Sequence, residues 1–164
     1  MKKMTVLLAV LLLAATALMA HPHFSKSVEL KIGEVEVTLK YFTAPANLEH
    51  VKSIEAGAFN PGFGQIELSA DLTVGDTTIP AGQYQIGAIK NGDKDWTLAL
   101  YPGRVPRGET ADISKVIKLH SSFSDSQGNS GHVYFDILPG QGEMEGKAVL
   151  IWHFGPLHLE GALS

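Results

Sequence analysis

"SVELKIGEVEVTLKYF" (residues 27–42) decides how this chain reads. Val28, Leu30 and Ile32 alternate with charged or polar residues. Beyond Gly33, Val35, Val37, Leu39 and Tyr41 do the same. Successive side chains leave a strand on opposite sides, so this alternation marks strands with one buried and one solvated face. Two such runs joined at a glycine predict an antiparallel hairpin.

The same period recurs downstream. "QIELSADLTV" (65–74) reads as a strand, followed by a turn at Gly75–Asp76. "TTIPAGQYQIGAIK" (77–90) reads as another, with Pro80 kept to its start because proline cannot donate to a ladder. Asn91–Gly92 is a strong hairpin turn signal, and "DWTLALY" (95–101) completes that hairpin with Trp96, Leu98 and Leu100 on one face. "PGRVPRGET" (102–110) reads as a loop, after which "DISKVIKLHSSF" (112–123) resumes the alternation. "HVYFDIL" (132–138) turns Val133, Phe135 and Ile137 inward and exposes His132, Tyr134 and Asp136. "KAVLIWHF" (147–154) and "LHLEGAL" (157–163) close the chain, and Trp96 and Trp152 are both expected in the core.

Residues 43–64 break the pattern. Leu48, Val51 and Ile54 recur every three residues behind Asn47, a good helix cap, which predicts one short helix over residues 47–56. A Pro–Gly turn is expected at Pro61–Gly62. The total is about nine strands and at most one short helix, with no helical crossovers to support parallel pairing. The expected fold is therefore all-β: a single-domain antiparallel β-sandwich, jelly-roll-like, with no internal repeat.

Upstream of the first strand stand Lys2 and Lys3, then the apolar run "TVLLAVLLLA" (5–14), then the small residues of "ATALMA" (15–20). Those are the three regions of a secretory signal, and the apolar run is shorter than the roughly 20 residues of a membrane span. We expect residues 1–20 to be a signal peptide and 21–164 the exported domain, in the periplasm or outside the cell. Cleavage after Ala17 fits the small-x-small rule through Ala15 and Ala17, whereas cleavage after Ala20 leaves a conventional spacing beyond the apolar core. The chain has no cysteine, which excludes a lipidated cysteine, disulfides and a thiol nucleophile. The formal net charge is −4, and losing Lys2 and Lys3 makes the exported chain more acidic still. Without a basic cluster in the sequence, a nucleic-acid partner is not expected. A monomer or dimer is.

"IPAGQY" (79–84) is read as structural: the proline sets a strand start, the glycine permits a tight turn and the tyrosine packs. The surrounding "LTVGDTTIPAGQYQIGAIKNGDKDWTLALYPG" (72–103) resembles the signature of the bacterial domain-of-unknown-function family 2911, through Gly75, Ile79-Pro80-Ala81-Gly82, Tyr84 and Trp96. "HPHF" (21–24), "VEVTLKYFTAP" (35–45) and "KAVLIWHF" match that family more loosely. Where the family carries an arginine-containing stretch this chain has "AFNPGFGQIEL" (58–68), and His153 stands where the family has a glutamate. The resemblance implies an exported β-sandwich and no particular activity. The "IPAGQY" phrase is also similar to one in the periplasmic copper-resistance protein C family, whose mature chains begin with histidine.

That second likeness bears on "ALMAHPHFSKS" (17–27). Cleavage after Ala20 gives a mature chain starting at His21, whose amine and imidazole together suit copper. Pro22 has no N–H and blocks the mode that needs a deprotonated second amide, which leaves a brace-like mode. The candidate metal ligands are His21, His23 and His153, with His158, His132 or His120 as other third ligands. Catalytic patterns are thin. Ser121, His120 and Asp125 lack a nucleophile elbow, Glu143 and Glu145 sit in a polar turn, and neither a phosphate loop nor a dinucleotide fingerprint is present. No enzyme activity and no obligatory cofactor are expected. Tyr101, Phe59, Phe63 and Tyr134 are candidates for an aromatic surface that binds glycan or peptide. The expected function is a non-enzymatic module binding a small ligand, glycan or protein of the bacterial envelope. The alternatives are a copper-binding protein and a purely structural envelope protein.

Overall fold

The computed structural model describes residues 23–164. The hairpin read from alternation is present, with β1 (Ser25–Ile32) pairing antiparallel with β2 (Val35–Phe42), Val28 opposite Leu39 and Leu30 opposite Val37. Gly33 has φ +59°, a conformation that suits a residue without a Cβ, and the turn closes there. The short helix is α1 (Leu48–Ser53), and the Asn47 side chain caps it by accepting from the His50 N–H at 3.2 Å.

The rest of the chain forms β3 (Phe59–Leu68), β4 (Leu72–Val74), β5 (Thr77–Ile79), β6 (Gly82–Gly92), β7 (Asp95–Pro102), β8 (Ile117–Lys118), β9 (Ser121–Ser124), β10 (Ser130–Pro139), β11 (Ala148–Gly155) and β12 (Leu157–Ala162). One sheet has the order β1-β2-β3-β6-β7-β8, a second β10-β11-β12-β9, and β4 and β5 form a small hairpin. Every pairing is antiparallel. The described residues thus hold twelve strands in three sheets, not about nine. Three expected strands each divide in two. Residues 69–71 separate β3 from β4, and Pro80 separates β5 from β6. The run "DISKVIKLHSSF" becomes a 3-10 turn (Ile113–Lys115) followed by the short β8 and β9.

Two turns also differ from expectation. Pro61 and Gly62 lie inside β3, not in a turn. Its N-terminal half, at Phe59–Pro61, pairs with β6, but the β2 ladder begins only at Gly64, so Pro61 sits where β3 has a partner strand on one side only. A register shift between Pro61 and Gln65 absorbs the irregularity. The second hairpin reverses at Asp93–Lys94, two residues beyond Asn91–Gly92. Asn91 sits in a register shift and its amide bonds Asp95 Oδ1 (3.1 Å) and Thr97 Oγ1 (3.0 Å) across the hairpin.

One continuous buried cluster joins the two larger sheets. Val37, Leu39, Tyr41, Ile66, Ile86 and Leu98 come from the six-stranded sheet, and Val133, Phe135, Leu150 and Leu159 from the four-stranded one. The rings of Tyr41 and Phe135 meet with centroids 5.6 Å apart. On the outer face of the six-stranded sheet, Phe59, Ile89 and Ala99 form a separate cluster beneath Val105, Ala111 and Val116 of the long loop. Trp96 is buried as expected. Trp152 is corrected to half-buried, packed against the core by stacking on Phe135 at 5.2 Å. No helix among the described residues is long and apolar enough to cross a membrane.

Candidate functional site

An apolar cleft of about 440 Å³ opens where the two larger sheets meet α1. The bulged half of β3 supplies Asn60, Pro61, Gly62 and Phe63, and Ala88 and Trp96 come from β6 and β7. Phe123, Trp152, Phe154, Leu157 and Leu159 come from the four-stranded sheet, and His50, Val51 and Ile54 from α1 and its C-cap. Small residues make the space. A Cβ on Gly62 would lie 3.0 Å from both the Trp152 ring and the Ile86 carbonyl, so the lack of a side chain lets β3 run close against that tryptophan. Gly155, at φ +61° at the end of β11, plays a second part, because its Cβ would come within 2.8 Å of Leu48 Cδ2. That close approach seats α1 over the cleft.

Both asparagines lining the cleft are committed elsewhere, and His50 is exposed. The Asn47 carbonyl oxygen caps α1, and the Asn60 amide donates to the Ala58 carbonyl at 3.0 Å. Trp152 Nε1 is buried with no hydrogen-bond partner among the described residues. What remains on offer is aromatic and aliphatic surface, suited to an apolar ligand in a concave site.

The aromatic residues picked from the sequence do not form one platform. Phe59 is buried and contacts Tyr101 with centroids 5.7 Å apart. Phe63 is 58% exposed and lines the cleft. Tyr134 is half-buried on the four-stranded sheet, contrary to its expected exposure, and so are His132 and Asp136. The Tyr134 hydroxyl donates to Asp136 Oδ2 at 2.5 Å, and that bond, with burial and the carboxylate's charge behind it, pushes the phenol up to about 12.

Of the proposed metal ligands, His21 lies outside the described residues. His23 precedes β1, and its ring lies 5.5 Å from that of Phe42 and 6.3 Å from that of His132. The Thr43 carbonyl accepts from His23 Nδ1 at 2.7 Å, which leaves Nε2 as the basic nitrogen. His153 stands on β11 opposite Tyr134 of β10 and His158 of β12, and its ring is 5.3 Å from that of His158. Burial holds the His158 imidazole below its usual range. Glu160, 3.7 Å away, opposes that shift, and His153 adds to it. His120 is exposed. Among the described residues no three histidine, aspartate or glutamate side chains converge on a common point suited to a metal.

The Ser121 hydroxyl accepts from the Leu98 N–H and donates to the Leu119 carbonyl, both at 2.9 Å, while Asp125 pairs with Lys94 at 2.9 Å. Glu143 and Glu145 are exposed around a 3-10 turn (Gly142–Met144). The cleft itself was not foreseen, although Leu157, Leu159 and Phe154 were all assigned to strands. Comparison with known proteins finds no matching family, no similar curated protein and no similar solved structure. The likeness to family 2911 rests on the quoted residues alone.

Proposed function

We propose that this chain is an exported, non-enzymatic binding module of the bacterial envelope that takes a small apolar ligand into the cleft beneath α1. In this reading the two larger sheets are the halves of a jelly-roll-like β-sandwich, and the ligand enters at the end where their edges part. One observation carries it: a concave space of about 440 Å³ walled by aromatic and aliphatic side chains, whose asparagines are already bonded to backbone. A space of that size, lined that way, falls in the range of small-molecule sites.

The test uses the protein's own reporters. Trp96 and Trp152 are the two tryptophans of the chain and both line the cleft. A brominated long-chain alcohol is expected to quench their emission saturably. Ile54→Phe, a substitution at a half-buried position on the cleft wall, is expected to weaken that uptake. Absence of saturable quenching would favour the purely structural reading.

A second reading, copper held at the start of the exported chain, is favoured by His23. Its Nδ1–H is tied to the Thr43 carbonyl, an outer-shell contact of the kind that orients metal-binding imidazoles, and its ring neighbours His132. The amine and ring of His21 would complete a brace. Intact-mass measurement of the exported protein decides first, since a chain starting at Leu18 ends this reading. If His21 is first, the protein should hold one copper against a modest chelator and lose it in His21→Ala.

A further inference from the structure

A second groove, of about 350 Å³, is lined by Lys26, Lys40, Arg104, Phe42, Phe63 and Gln65 among others. Phe63 lines both this groove and the apolar cleft. The charge here runs against the rest of the molecule. The chain as a whole is acidic, yet the lining of this groove includes Lys26, Lys40 and Arg104 and no carboxylate. All three are exposed, and none takes part in a salt bridge among the described residues.

The topology explains why the two spaces adjoin. Lys40 sits opposite both Ser27 on β1 and Gln65 on β3, on the outer face of the six-stranded sheet, whereas Lys26 pairs with Tyr41 and shares its face. The β2–β3 ladder stops at Tyr41 and Gly64, so Phe63 occupies the first position of β3 that has no β2 neighbour. At 58% exposure it stands at the border between the basic groove and the cleft. An apolar chamber beside an unpaired cationic patch, with one aromatic ring shared between them, matches a ligand built the same way.

We infer that the ligand is a single-chain amphiphile with an anionic head: its hydrocarbon tail lies in the cleft and its carboxylate or similar head faces Lys40 and Arg104. This inference rests on the reading of the cleft as a ligand site and adds the head group. The cleft's volume suits one hydrocarbon chain, which is why the occupant is a free amphiphile taken up from solution and not a membrane surface. Because the cations are exposed, their attraction is screened by salt and acts on selectivity between head groups more than on uptake of the tail.

Dodecanoate, dodecanol and dodecyltrimethylammonium share one chain and differ in head charge. Each is titrated below its micelle concentration into purified protein, with the emission of Trp96 and Trp152 as the readout. Dodecanoate is expected to bind about tenfold more tightly than dodecanol at low salt and to lose most of that advantage at high salt, with the cationic amphiphile weakest. The double variant Lys40→Glu, Arg104→Glu changes exposed positions only, and should abolish the preference for dodecanoate over dodecanol. Equal binding of all three amphiphiles, or a dodecanoate preference that survives in the double variant, overturns the inference and leaves the cleft reading standing. Failure of all three to bind overturns both. Association with anionic vesicles without uptake of monomeric dodecanoate also overturns it, in favour of a membrane surface.

Discussion

Replacing Gly87 by alanine sets local propensity against packing with opposite signs. Gly87 lies in the interior of β6, opposite Ala99 and Pro61, and its φ is not positive, so nothing in its own backbone conformation demands glycine. On propensity alone, alanine at an interior strand position is favoured by about 0.5–1 kcal/mol. The structure argues the other way. A Cβ there would fall 2.3 Å from Phe59 Cζ, 2.5 Å from Phe59 Cε2 and 2.5 Å from the Asn60 carbonyl oxygen, against an ordinary carbon contact of about 3.5–4.0 Å. The Phe59 ring is boxed in by Tyr101 and the loop above it, and the carbonyl belongs to the β3 backbone, which pairs at this point with β6.

Overpacking of this kind costs about 1–3 kcal/mol, and the rigid carbonyl puts Gly87→Ala towards the upper end. After the propensity gain, a net loss of about 2 kcal/mol is expected, close to 1 M in a urea midpoint. Gly131 is the control. It lies in β10 with no positive φ and no atom within 4 Å of its would-be Cβ, so Gly131→Ala should raise the midpoint slightly. In a Phe59→Ala background the penalty at residue 87 should shrink but persist, because the Asn60 carbonyl is still there. A Gly87→Ala protein as stable as the parent would refute the reasoning. It would also show that the β3 wall of the cleft, which includes Asn60 and Pro61, yields more easily than its hydrogen bonds suggest.

Trp96→Ala should cost about 3–5 kcal/mol in the same urea melts, because the indole is buried within the shared core. Trp152→Phe should stay within about 1 kcal/mol of the parent, since it keeps a ring on Phe135 and removes a buried N–H that has no partner. A much larger loss would mean that this N–H is bonded after all. Tyr134 should titrate at about pH 12 in an ultraviolet difference titration against Tyr134→Phe. Because folding raises this pKa, the contribution to stability is complete below the ordinary value near 10 and is lost as pH rises through about 12. Asp136→Asn should bring the titration back towards 10, and an unchanged value would remove the carboxylate as its cause.

How far the fold could be read from sequence follows from which faces meet water. β1 and β2 each keep one face solvated, so alternation gave their register correctly, down to Gly33 in the turn. β6 and β7 carry runs buried on both faces, Gly87 to Ile89 and Leu98 to Leu100, because the 103–116 loop covers the outer side. Such runs lose the period that fixes register. The hairpin between them was accordingly placed two residues early, where Asn91–Gly92 offered the better local turn. Asn91 is more useful bonded to Asp95 and Thr97 across the ladder. The division of β3 from β4 has another origin: alternation persists from Leu68 to Leu72, while bonding to β2 ends at Ser69, whose N–H donates to the Glu36 carbonyl at 3.0 Å.

The candidate site was illegible for a different reason. Each of its walls reads as ordinary core on its own strand, and the space is made by what the strands lack. "NPGF" (60–63) was recognised as irregular and assigned to a turn, when the same proline and glycine interrupt a ladder instead. Pro61 sits where β3 has a partner strand on one side only, and Gly62 has no side chain to hold β3 away from Trp152. Together they let β3 lean onto the four-stranded sheet at one end while its outer edge goes unpaired beside Phe63. Gly155 then seats Leu48, and α1 closes over the gap. Filling that gap by sequence change would take a larger residue at Ala88, which nothing in the alternation of its strand forbids. The constraint sits between segments far apart in the chain, so only the packed structure displays it.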